Sequence, residues 1–357
     1  MTLQDISSLR LINQQIAGSE FTTAKDVVDW MGAMQAQDYS MAKWAVGLRV
    51  PGSTEKTIES AIDNGEIIRT HVLRPTWHFV SPDDIYWMLS LTAPQIRSAM
   101  RSRDKQLELD RVVYSKSNSI LEKALAGGNH LTREEIAIKL NASGINTSEN
   151  RLSHILMQAE LEQIICSGKS KNNKITYALL AESVPHKNIL NRDESLSKLA
   201  NTYFSSHGPA TLKDFAWWSG LSVSDSRKAL EMVKSNFVSE IIGEEIYWFT
   251  NSSPVSPIDK NAIFMLPAFD EFIISYKDRT AALIFKNHRT AVSNNGIFRP
   301  VIVQSGMVAG IWRRTTRNKQ VILETDFFQQ DVNLSREMIP SAFSPYISFI
   351  GKEVEIR

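Results

Sequence analysis

Two glutamines flank an alanine, Gln35-Ala36-Gln37, inside the run Trp30–Arg49, WMGAMQAQDYSMAKWAVGLR. A carboxamide offers one acceptor and two donors and does not titrate near neutral pH. A pair of them aimed at one point can orient a water or grip a base edge. Neither is a strong general base. Whether they meet depends on the backbone: residues two apart point about 200° away from each other in a helix, and the same way in an extended chain. Val27, Val28, Trp30, Met31 and Met34 repeat at helical spacing, the pattern breaks across Gln35–Ser40, and it resumes at Met41, Trp44, Ala45 and Leu48. A kink between two short helices would aim both amides together. The plainer alternative is that both sit on a solvated face near a helix end.

Other residue groups invite chemistry of different kinds. His71 and His78 lie in EIIRTHVLRPTWHFV beside Arg69 and Arg74, and either imidazole is suited to a phosphate, to positioning a water, or to packing and hydrogen bonding within a strand. In IWRRTTRNKQVILE, Arg313, Arg314, Arg317 and Lys319 cluster about an expected turn at Thr315–Lys319. Such a hairpin can reach phosphates or a minor groove, or it can be an edge blunted by charge. LPAFDEFIISYKDR, 266–279, brings Asp270, Glu271, Asp278 and Arg279 among aromatics. Paired carboxylates can do acid–base work. The structural reading is preferred, with Arg279 forming ion pairs that pin the C-terminal region to the helices.

Several classes drop out. The seven histidines are scattered without a His-x-x-x-His pair, and Glu134-Glu135 and Glu244-Glu245 read as solvated surface, so no metal site is expected. Cys166 is the sole cysteine, which rules out an intrachain disulfide and a thiolate cluster. No G-x-S-x-G, phosphate-binding Walker loop, G-x-G-x-x-G or Cys/His nucleophile arrangement is present, and no cofactor is expected. The N-terminus lacks the apolar run of a signal peptide, and no stretch reaches the roughly 18 apolar residues of a membrane span. A soluble, cytoplasmic monomer is the expectation.

At 357 residues the chain exceeds one ordinary core. Its formal net charge of +1 conceals an uneven distribution, acidic before Arg69 and basic from Arg69 to Lys116. Helices are expected at 5–17, 23–34, 40–49 and 54–64, then two strands around Arg74-Pro75, then helices at 83–91 and 93–101. Helix, helix, helix, two-stranded ribbon is the order of a winged helix-turn-helix. It recurs with strands EQIICSG and ITYALL around a wing at about 168–174, and again at 193–250. Beyond Asn251-Ser252-Ser253-Pro254 and Pro257, the runs AIFMLP, AALIF, RPVIVQSG, MVAGIWRRT, KQVILETDFF and SPYISFI suggest a small β-barrel or sandwich. The expected fold is mainly α with β: winged-helix modules at 1–115, 116–190 and 191–256, then a C-terminal barrel at 257–357. Winged helices bind nucleic acid, and they also serve as protein-interaction modules.

MQAQDYSMAKWAVGLR, RTHVLRPTWHFVSPDD, HGPATLKDFAWWSGLS, LPAFDEFIISYKDR and GIWRR, in that order, resemble the winged-helix DNA-binding proteins that include the AlkZ-type DNA glycosylases. The resemblance implies three tandem winged helices and a β-barrel around a concave channel for double-stranded DNA. It implies a monofunctional glycosylase that excises N7-alkylated purines and, in some members, unhooks interstrand crosslinks. The family's glutamine-hydrophobic-glutamine motif falls on Gln35-Ala36-Gln37, with a small residue in the hydrophobic slot. Arg69, His71, Arg74, His78, Arg313, Arg314, Arg317 and Lys319 are the expected DNA contacts. A non-catalytic DNA-binding protein, such as a transcriptional regulator, is the alternative.

Overall fold

The computed structural model describes residues 1–251, 259, 261–317, 320–328 and 338–357. Most of the linker expected around Ser252–Pro257 lies outside those residues, as does Lys319. The chain forms two compact units, one from 1–59, 197–218 and 222–357, the other from 60–196 with 219–221.

Helix α1 (Leu3–Asn13) opens on a capping box in which Thr2 and Asp5 satisfy each other's backbone donors. In α2 (Ala24–Met31) the cap is Thr23, accepting from the Asp26 amide. This helix was expected to run to residue 34 and stops at Met31. Gly32 turns the chain at φ +75°, and a Cβ there would lie 2.8 Å from Thr202 Cγ2, so both backbone and packing call for glycine. Strand β1 (Ala33–Gln35) follows, then α3 (Tyr39–Gly47), capped by Asp38, and α4 (Glu55–Asp63).

Strands β2 (Ile68–His71) and β3 (Trp77–Val80) pair antiparallel, with Thr70 opposite His78. Two helices were expected next; one helix, α5 (Ile85–Gln106), runs through Pro94 instead. Ile85, Met88, Leu89, Thr92 and Ile96 stay buried and in helical phase across that proline, and this packing outweighs the lost backbone donor.

The elements α6 (Arg111–Leu125), β4 (Leu131–Thr132), α7 (Arg133–Ala142), α8 (Arg151–Leu161), β5 (Ile165–Lys171), β6 (Lys174–Leu179) and α9 (Leu180–Ser183) come next. Thr132 and Glu135 form a capping box at the start of α7. The sheet order is β4-β6-β5, over a core that includes Leu121, Leu140, Ile155 and Ile165. Asn172 and Asn173 turn the β5–β6 hairpin at φ +52° and +60°, the left-handed pair a tight two-residue turn demands. Lys171 and Lys174 on its strands pair with Glu135 and Glu134 at 2.6 and 3.4 Å.

The order of helices then ribbon returns with α10 (Arg192–His207), α11 (Leu212–Ser219), α12 (Val223–Val233), β7 (Val238–Ile242) and β8 (Glu245–Phe249). Thr211 and Ser222 cap α11 and α12.

The C-terminal stretch contains β9 (Ile263–Leu266), α13 (Glu271–Ile274), α14 (His288–Ala291), β10 (Val301–Gln304), β11 (Met307–Arg317), β12 (Gln320–Phe327), α15 (Met338–Ile350) and β13 (Glu353–Ile356). The sheet order is β13-β12-β11-β10-β9, so among the described residues β9 and β13 are its edges. This five-stranded curled half-barrel roughly fits the small β-barrel or sandwich that was expected. Two expected strands are absent. AALIF forms turns and a 3-10 segment at Phe285–Asn287. SPYISFI belongs to α15, whose Ile339, Phe343, Tyr346 and Phe349 recur at helical spacing and are buried. Phe343 and Tyr346 pack edge-on against Trp312, and Trp44 of α3 meets Tyr346 and Phe349.

Candidate active site

The Gln-Ala-Gln segment lies between two helices, as its broken periodicity suggested. Gly32 ends α2 and Asp38, accepting from the Met41 amide, starts α3, which leaves 33–37 outside both. The two glutamines are not equivalent. Gln35 ends β1 and is 5% exposed, Ala36 is fully buried, and Gln37 stands in solvent. A larger residue at 36 would have to displace packed atoms, which accounts for alanine in that slot.

The buried glutamine is held through its main chain. Its amide donates to Glu271 Oε1 at 2.6 Å, and Glu271 is itself buried in the first turn of α13. The other carboxylate oxygen accepts from the Ser275 hydroxyl and lies 3.9 Å from His207 Nε2. Burial works to raise the Glu271 pKa; the His207 ring, the Ser275 hydroxyl and the Gln35 amide reverse it and hold the carboxyl below its usual range. Burial lowers the pKa of His207, against the opposing pull of Glu271. His207 stacks on Tyr203, with centroids 4.8 Å apart.

A second layer fixes Glu271. Its neighbour Asp270 takes a two-pronged pair from Arg49, at 2.9 and 3.0 Å, and both partners are buried. Arg49 also donates to the Gln14 and Ala45 carbonyls. Gln14 donates to the Tyr276 hydroxyl, which donates to the His207 carbonyl at 2.7 Å. Arg10 lies 3.5 Å over the Tyr276 ring and 3.7 Å from Asp214. Within segment 266–279, Asp270 is paired with Arg49, and the Tyr276 ring carries Arg10 on its face. Arg279, expected to supply the ion pairs, donates to the Ile273 carbonyl and sits over Trp217 and Phe298.

The other expected contact residues are dispersed. Arg69, His71 and His78 belong to the second unit and are buried, which takes them off a surface that DNA could touch. Arg69 stacks on Trp77 at 4.3 Å. His71 uses Nδ1 and its backbone amide on the fully buried Glu160. His78 Nδ1 bonds the Thr76 carbonyl at 2.9 Å. Arg74 is half-buried between β2 and β3.

On the hairpin, the strand continues through Thr315 and Thr316, where the turn was expected to begin; Arg317 pairs directly with Gln320. Both threonines are β-branched and favour the strand. Alternation then divides the arginines. Arg313 and Arg317 share an exposed face, while Arg314 shares the face of buried Trp312 and donates to the Tyr346 hydroxyl at 3.0 Å.

Sequence reasoning also passed over Arg279–Arg299. This stretch carries Arg279, Lys286, Arg289 and Arg299 with no acidic residue, and Phe285 in its midst is 90% exposed. The absence of acids was visible in the sequence, but reading AALIF as a strand hid the exposed ring. Among the described residues no group of three or more His, Cys, Asp or Glu side chains is placed to hold a metal ion. No helix among them is long and apolar enough to cross a membrane.

Comparison with known proteins now bears on this geometry. The interstrand DNA cross-link repair glycosylase of Streptomyces sahachiroi is 25% identical over 307 residues, which cover 81% of this chain and 82% of that protein. The solved structure of Streptomyces sahachiroi DNA glycosylase AlkZ matches with a TM-score of 0.82 over 100% of both chains, and at 20% identity that likeness speaks for the fold. Residues 28–339, a span that takes in both glutamines and the basic hairpin, match the family described as DNA glycosylase AlkZ-like. The chain belongs to that family of DNA glycosylases.

Proposed function

We propose that this protein hydrolyses the N-glycosidic bond of cationic N7-alkylated purines in double-stranded DNA, interstrand crosslinks among them, as a monofunctional cytoplasmic glycosylase acting as a monomer. The observation that carries this reading is the unequal glutamine pair, one buried and tethered, the other in solvent beside it in sequence. Alkylation at N7 places a positive charge on the purine, so the base leaves readily. What remains is to place a water and to stabilise an oxocarbenium-like transition state, which fixed dipoles accomplish without a titrating base. Gln37 meets the water, and Gln35 completes the amide pair from its anchored position. Undamaged bases and uncharged lesions such as uracil need acid assistance that two carboxamides do not provide, and they are poor substrates. The crosslink repair named for the Streptomyces sahachiroi relative suits an exposed amide, since a crosslinked base cannot enter a deep pocket.

In this reading, 1–115, 116–190 and 191–256 are winged-helix modules and the C-terminal sheet carries DNA-binding loops. Arg313 and Arg317 hold the phosphates with help from Arg74, Arg314 and Lys319, and Phe285 with Lys286 and Arg289 adds an exposed basic-aromatic edge. The test is release of free 7-methylguanine from a methylated duplex. Wild-type release is expected to fall about 100-fold or more in Gln37→Ala and Gln35→Ala. Tight DNA binding with no release by the wild type would instead favour a non-catalytic regulator.

A further inference from the structure

β1 is three residues long, too short for ladder hydrogen bonds alone to fix where Gln35 stands. A further contact reaches it from 236 residues away in sequence, the Gln35 amide on Glu271 Oε1 at 2.6 Å. Glu271 differs from the other carboxylates around it. Asp270 has Arg49 and Asp214 has Arg10, whereas Glu271 has the Ser275 hydroxyl, the Gln35 amide and the His207 ring. An anion buried among such donors is expensive compared with one paired to an arginine. Where only a tie to the core is needed, this region uses an arginine pair; at the strand that presents the motif it uses a carboxylate whose oxygens are committed to orientation.

We propose that Glu271 is the positioning residue of the glutamine pair: it fixes the main chain of Gln35 so that the two carboxamides stand in register with the water and the sugar. Ser275 and His207 hold the carboxylate in turn. Glu271 touches no reacting atom and acts through Gln35. The proposal rests on the reading of Gln35 and Gln37 as the catalytic pair. The expected effect follows from geometry, since a displacement of roughly 1 Å at a reacting centre costs about 100-fold in rate.

Two variants separate reach from charge. Glu271→Gln keeps an acceptor oxygen at full length and loses the charge. Glu271→Asp keeps the charge and shortens the reach by one methylene. Release of 7-methylguanine from a methylated duplex is measured for each, together with DNA affinity and hydrogen exchange of the peptide containing the Gln35 amide. Expected are a kcat for Glu271→Gln within about fivefold of wild type, and a kcat for Glu271→Asp lower by about 10- to 100-fold with KM nearly unchanged. Exchange at the Gln35 amide should rise in Glu271→Asp and not in Glu271→Gln. The reverse order of rates, equal loss in both variants, no loss in either, or failure of Glu271→Gln to fold each overturns the proposal. If the wild type itself releases no base, the catalytic reading fails, and the exchange pattern still decides whether Glu271 anchors Gln35.

Discussion

The strand that ends at Gln35 and the hairpin of β11 and β12 are both extended, and side-chain chemistry singles out both. Their surroundings differ. The Gln35 backbone is tied to Glu271, and behind Glu271 stand Asp270, Arg49, Gln14, Tyr276 and His207, all of them buried. The hairpin is anchored through Trp312 and Arg314 against α15, while Arg313 and Arg317 extend into solvent. The contrast fits two tasks. Under the proposed function, placing a water tolerates little error, and a main chain fixed by groups drawn from distant parts of the sequence suits that task. Under the same proposal, meeting phosphates requires charge that can adapt to an irregular backbone, which two exposed arginines supply.

The sharpest way to break this comparison is at Arg49. Arg49→Ala leaves Asp270 buried without a cation, and a loss of about 3–5 kcal/mol in unfolding free energy is expected, measured by urea denaturation. Arg49→Lys should recover little, because a lysine cannot reproduce the two-pronged contact or reach both carbonyls in the same plane. A loss below 1 kcal/mol in Arg49→Ala would mean that the layer behind Glu271 carries little of the fold, and the contrast with the hairpin would shrink.

The hairpin should respond in the opposite sense. Arg313→Ala combined with Arg317→Ala is expected to leave stability nearly untouched, because both side chains are exposed. DNA affinity should fall and its salt dependence should flatten. If each arginine meets one phosphate, the slope of log K against log salt drops by about 0.9 per contact. The rate at saturating DNA should stay within about twofold of wild type. A large fall in that rate would put the hairpin in the catalytic step and erase the division of tasks.

What was legible in the sequence was local. The caps at Thr23, Thr132 and Ser222, the asparagine turn of β5–β6 and the break at Gln35 all express interactions among residues a few positions apart. The partners of the site are 236 and 221 residues away from Gln35 and Arg49, and no periodicity reports a contact of that span. The same limit explains His71 and His78. A histidine beside arginines on a strand suggests a phosphate until Glu160, 89 residues on, proves to be the partner of His71. The cation of Asp270 was equally hidden: it is Arg49, just beyond the C-terminal end of α3 and 221 residues away in sequence. In α15 the helical spacing of Ile339, Phe343, Tyr346 and Phe349 extends beyond the short run SPYISFI, and that run alone does not separate a buried helix from a strand.

The smallest expected effect concerns acid, and it separates the two regions by the kind of charge they use. Burial lowers the pKa of His207 in the folded protein, so below about pH 6.5 the unfolded chain takes up a proton that the folded chain resists. That term therefore favours folding fully above about pH 6.5 and is lost as pH falls. Glu271 acts in the same direction at lower pH: its folded pKa is depressed, so its contribution is present above the ordinary glutamate value and disappears as the carboxyl protonates. His130 and His288, also lowered by burial, add to the slope near pH 6 without belonging to this network. Between pH 7 and 5.5 the wild type should lose up to about 1 kcal/mol more than His207→Gln does, measured by denaturant titration at each pH. The salt slope of DNA binding should hold steady over the same range while the network around Gln35 weakens. Identical stability profiles for wild type and His207→Gln would show that the ring takes no part in the pH response, and the acid-sensitive side of the comparison would rest on Glu271 alone.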